Sequence, residues 1–72
     1  MRKLEFRIKG EYIELANLLK VTGVAASGGA GKALVAEGGV TVDGRRELRK
    51  TCKLRPGQVV RAGDAEIHVL PA

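Results

Sequence analysis

Between Arg45 and Arg55 the chain places six cations, Arg45, Arg46, Arg49, Lys50, Lys53 and Arg55, against a single carboxylate, Glu47. Such a run repels itself unless an anion is present, and its arginines carry forked donors that match phosphate oxygens. The chemistry it suits is recognition of a polyanion. The plainer alternative is a solvated strand edge that resists aggregation.

A second stretch, Ser27-Gly28-Gly29-Ala30-Gly31-Lys32-Ala33, looks like a phosphate loop but fails the pattern. That motif needs Gly five residues before the Gly-Lys pair and Ser or Thr after it, where this chain has Ala26 and Ala33. What survives is a helix start whose orphan N–H groups, together with Lys32, can attract one phosphate of a larger ligand. Close packing against another backbone explains the glycines equally well.

Other reactive residue types offer little. His68 has no second His or Cys with which to bind a metal, and Cys52 alternates with Leu48 and Leu54 as a small core residue. Asp43 is a turn residue first. Glu11, Glu14, Glu37 and Glu47 form no acid–base pair, and no Ser/His/Asp set can be assembled. The sequence predicts neither an enzyme nor a cofactor, and no small-molecule substrate.

The elements that must hold these residues follow from periodicity. Leu4, Phe6 and Ile8 alternate with charged residues, which predicts a strand ending at Gly10. Tyr12, Leu15, Ala16 and Leu19 have helical spacing, widened by Leu18, and predict a helix from Tyr12 to Thr22. Gly23 suits the left-handed position after it, with Val24 folding back. Ser27 should cap a second helix running to Glu37, with Ala33, Leu34, Ala30 and Val35 as its buried face and Gly38 as its end.

Asp43-Gly44 marks a tight hairpin after Val40-Thr41-Val42. The basic run should be the returning strand, Leu48, Cys52 and Leu54 on one face and Arg45, Arg49 and Lys53 on the other. Arg55-Pro56-Gly57-Gln58 predicts a type II turn. A short strand over Val59-Val60-Arg61 and a last strand over residues 65–70 follow, the latter expected to pair with the first. The expected fold is α+β, with two antiparallel helices packed on a small mixed or antiparallel sheet bearing a basic hairpin.

Length and composition agree with a single domain over residues 1–72. A chain of this size buries only about 60% of its unfolded surface, so no large catalytic cleft fits beside a core. Thirteen Lys and Arg against eight Asp and Glu give a net charge of +5, concentrated between residues 45 and 55. One cysteine excludes an internal disulfide framework. The first ten residues lack the apolar core of a signal peptide, and no segment approaches the ~20 apolar residues of a membrane span. A monomer in a reducing cytoplasm is the expectation, with no membrane partner.

The order of these features resembles a known family. A helix pair followed by Gly38-Gly39-Val40-Thr41-Val42-Asp43-Gly44 is similar to the signature of the RNA-binding domain first described in ribosomal protein "S-four", the αL motif. The likeness is closest to the stand-alone bacterial YbcJ-like proteins. It extends over Glu14-Leu15 to Leu19-Lys20, Ala36-Glu37-Gly38, Arg49-Lys50, Cys52-Lys53 and Gly57-Gln58. Where many family members carry Arg, Lys or Gln in the first turn of the second helix, this chain has Gly28, Gly29, Ala30 and Gly31 before Lys32.

The resemblance implies binding to structured RNA, such as ribosomal or transfer RNA, by the start of the second helix and the hairpin. Ser27, Lys32, Asp43, Arg45, Arg46, Arg49, Lys50, Lys53 and Arg55 are the expected contact residues. The absence of Trp, with Phe6 assigned to the core, argues against base-stacking platforms and for readout of backbone and shape. The alternative is a protein-interaction or ribosome-assembly module docking its basic face on an acidic partner. Duplex DNA is a third, weaker expectation.

Overall fold

The computed structural model describes residues 2–72. The elements in chain order are β1 (Arg2–Arg7), β2 (Ile13–Glu14), α1 (Leu15–Val21), α2 (Gly28–Ala36), β3 (Val40–Val42), β4 (Arg45–Arg46), β5 (Lys53–Leu54), β6 (Val59–Ala62) and β7 (Ala65–Leu70). Five strands form a mixed sheet in the order β1-β7-β6-β3-β4, while β2 and β5 pair separately. Among the described residues only the β1–β7 pairing is parallel, with Leu4 beside Ile67 and Phe6 beside Val69. The first and last strands are therefore neighbours, as expected.

The core lies between the helices and one sheet face. Leu15, Leu18 and Leu19 from α1, Val35 from α2, and Val40, Leu54, Val60, Ile67 and Val69 from the strands are fully enclosed. Phe6 and Cys52 pack against this cluster while keeping part of their surface in water.

Local chemistry sets the joints. Gly23 and Gly38 adopt φ +80° after α1 and α2, where a side chain would be strained. The Ser27 hydroxyl accepts from Ala30 N at 3.1 Å and caps α2. The Arg55–Gln58 turn closes with Gln58 N donating to Arg55 O at 3.2 Å, Gly57 taking positive φ.

Three expectations are corrected. The first helix does not begin at Tyr12. Residues 13 and 14 are extended against β5, and Leu15 N and Ala16 N donate to the carbonyls of Cys52 and Lys50 at 2.9 and 3.0 Å. Those long-range carbonyls fill the place of a side-chain cap, which Glu14 does not supply.

The basic strand also fails to continue. β4 spans only Arg45–Arg46, because the Glu47 carboxylate accepts from both the backbone N–H and the guanidinium of Arg49 at 3.0 Å and turns the chain locally. The period-two faces are lost with it: Leu54 is buried, whereas Leu48 is 60% exposed.

On α2 the buried residues are Gly31 and Val35, with Leu34 half-buried, while Ala30 and Ala33 face water. The helix turns its smallest residue toward α1. A Cβ on Gly31 would stand 2.9 Å from Ala16 O.

Candidate functional site

The contact at Gly31 has a consequence for charge. It draws the start of α2 onto the first turn of α1, and the carbonyls of Lys50 and Cys52 hold the 47–52 segment against that same turn. Lys20, Lys32 and Lys50 consequently line one open cleft of about 290 Å³ with Asn17, Gly28 and Thr51. Glu14 is the one acid on its wall. Thr51 also belongs to the adjoining hollow, lined by Arg49, Cys52 and Lys53. Five cations thus line two hollows that share Thr51, and the first includes the N-terminus of α2, where the dipole adds positive potential.

These cations differ in how free they are. Arg49 is held by Glu47 through Nε at 3.0 Å and a second nitrogen at 3.3 Å. The pairing holds the Glu47 carboxyl down to about 2, chiefly through the Arg49 side-chain bond and then its backbone N–H, and raises the Arg49 guanidinium. Arg49 is thereby oriented and partly neutralised. The Lys53 ammonium stands 4.9 Å from the Tyr12 ring centroid, a cation–π contact that fixes its long side chain. Burial pushes the Cys52 thiol up, which keeps it protonated and inert.

The remaining predicted contact residues lie elsewhere. Ser27 spends its hydroxyl on the helix cap. Asp43 takes φ +52° in the hairpin turn, and its carboxylate accepts from Val59 N at 2.9 Å and Gln58 Nε2 at 3.3 Å. It therefore ties the turn to β6. Arg45 pairs opposite Val42 and Arg46 opposite Thr41, which sends their side chains to opposite faces of the sheet. Arg46 lies along Gly38, its Nε 3.4 Å from where a Cβ would be. Arg55 is exposed in its own turn. None of Arg45, Arg46 and Arg55 lines the cleft.

Lys20 was not among the predicted contact residues. Its signal was faint: it sits one helical turn after Ala16 on an otherwise ordinary exposed edge, and only the packing of α1 on α2 carries it to Lys32. On the outer sheet face Glu66, only 7% exposed, accepts from Arg61 at 2.8–3.0 Å and meets His68 at 2.9 Å. Its carboxyl is held below the usual range by His68 first and Arg61 second. Among the described residues no cluster of His, Cys, Asp or Glu could hold a metal, and no helix is long and apolar enough to cross a membrane.

The architecture defines a small α+β module whose two helix starts and one loop converge on a cation-lined cleft. A family model described as "S4 domain" matches residues 6–70, and the chain belongs to that family. The YbcJ proteins of Escherichia coli (strain K12) and Shigella flexneri are each 42% identical over 62 residues, spanning 86% of this chain and 89% of theirs. The solution structure of YbcJ from E. coli superposes with a TM-score of 0.69 at 38% identity, covering 97% of this chain and 87% of that one. It is described as revealing an αL motif involved in RNA-binding.

Proposed function

We propose that the protein is a monomeric, cytoplasmic, single-domain binder of structured or double-helical RNA, ribosomal or transfer RNA being the leading classes. It grips the phosphate backbone and catalyses nothing. The observation that carries this reading is the convergence of Lys20, Lys32 and Lys50 on one cleft beside the α2 N-terminus, with Arg49 and Lys53 adjoining through Thr51. The description of the related E. coli YbcJ supports RNA as the polyanion.

The mechanism is electrostatic and geometric. Lysine ammonium groups are compact charges without fixed directionality and suit phosphates spaced along a strand, while Arg49, already oriented by Glu47, offers its remaining donors in one defined direction. The open, shallow cleft suits a curved backbone rather than an enclosed small molecule. Phosphate contacts of this kind set position and register without reading sequence.

Titrating an RNA hairpin at several salt concentrations tests the proposal. Four to six phosphate contacts give a slope of log K against log salt of about −3 to −5. A flat response refutes the reading. A matched DNA hairpin in competition shows whether 2′-hydroxyl groups contribute.

A further inference from the structure

Tyr12 and Phe6 are the two aromatic residues of the chain, and the fold brings both to one hollow of about 320 Å³ beside α1. Arg7, Lys9, Asn17 and Val21 complete most of its wall. Asn17, exposed on α1, also lines the lysine cleft, so the two hollows have that residue in common. Tyr12 is 42% exposed and sits directly before the β2–β5 pairing, with the Lys53 ammonium over its ring. Tyr12 lines the hollow and Lys53 does not.

Building on the RNA reading above, we propose that this hollow seats one unpaired nucleobase, stacked on Tyr12, from the strand whose phosphates occupy the lysine cleft. A single exposed tyrosine means nothing alone. Here apolar walls, an aromatic face, an amide and two rim cations adjoin a cation-lined cleft, a combination that suits a flat heterocycle tethered to phosphates and gives an uncharged lipid or peptide no counterpart for the charge. A paired base is locked in its own stack, so only a bulged, looped or terminal nucleotide reaches the hollow. Shape readout of the helix is thereby joined to recognition of a helix defect.

The test uses two RNA hairpins with the same stem, one fully paired and one carrying a single unpaired 2-aminopurine. The wild-type protein should quench the 2-aminopurine emission and prefer the bulged hairpin by about 5- to 150-fold, the range of one base–aromatic stack. Tyr12→Ala should abolish the quenching and the preference, with only a small loss on the paired hairpin as the Lys53 ammonium is freed from the ring; Tyr12→Phe should keep the quenching, the preference and the paired-hairpin affinity. Equal affinity of the wild type for both hairpins without quenching overturns the inference and leaves the RNA reading intact. So does a preference that survives Tyr12→Ala, or a loss in that variant that is equal for both hairpins. Failure of the wild type to bind either hairpin overturns both together.

Discussion

Gly31 and Ala16 touch backbone to backbone: any side chain at 31 would begin 2.9 Å from the Ala16 carbonyl oxygen. Gly28 and Gly29 have no such neighbour, their nearest atoms lying at 4.0 and 3.9 Å. Three glycines in one helix start therefore divide by cause. Gly31→Ala should destabilise the fold by about 1–2 kcal/mol, overpacking outweighing the gain in helix propensity. Gly28→Ala should be neutral or stabilise by about 0.5–1 kcal/mol. Urea unfolding of the two variants distinguishes them, and the reverse order would refute the packing argument.

The Asp43 carboxylate holds its turn to β6 by accepting two hydrogen bonds, from Val59 N and Gln58 Nε2. Asp43→Ala leaves one backbone donor without its partner and puts a Cβ-bearing residue without a local hydrogen bond at φ +52°. A loss of about 1–3 kcal/mol in unfolding free energy is expected. RNA affinity of the folded fraction should stay unchanged, since this carboxylate is committed inside the protein. A large affinity loss without a stability loss would restore Asp43 as a contact residue.

What the sequence disclosed was mostly local. Ser27, Gly23, Gly38 and Asp43-Gly44 declare their roles through capping and positive-φ chemistry that depends on a few neighbouring residues, and each holds that role in the structure. That β1 and β7 are strands is equally legible from alternation. The course of the chain after Arg46 was not, because it is decided by a carboxylate turning on Arg49 and by carbonyls of Lys50 and Cys52 meeting Leu15 and Ala16, far away in sequence. Helical spacing with Leu15, Ala16 and Leu19 puts Tyr12 on a helix face, and no local signal marks Lys20.

Glu47 predicts an acid-sensitive loop. Its folded carboxyl lies near 2, below its ordinary 4.5, so its stabilising bonds to Arg49 are fully present above about pH 5 and disappear as pH falls toward 2. Glu47→Gln should flatten the dependence of stability on pH across that window, lowering stability near neutrality and changing little near pH 2. Chemical shifts of the Arg49 backbone amide through an acid titration give a local readout. A midpoint near 4.5 would mean that the pair does not form.

Leu48 and Leu54 share one face in a regular strand, yet the fold exposes the first to 60% and encloses the second. Leu54→Ala should cost about 2–5 kcal/mol through the cavity it leaves. Leu48→Ser should stay within about 0.5 kcal/mol of wild type. Similar losses at both positions would show that residues 45–55 run as one strand.

Lys20 and Arg45 give the sharpest contrast at the site. Arg45 belongs to the conspicuous basic run but does not line the cleft, while Lys20 lies outside that run and does. Because each phosphate contact contributes about −0.9 to the salt slope on a duplex, Lys20→Gln, Lys32→Gln and Lys50→Gln should each make the slope shallower by close to one and weaken binding at low salt. Arg45→Gln should change it by much less, its charge acting only through a screened field. If instead Arg45→Gln removes a full contact and Lys20→Gln removes none, the bound strand follows the hairpin rather than the gap between the helix starts, and the cleft is not where the phosphates lie.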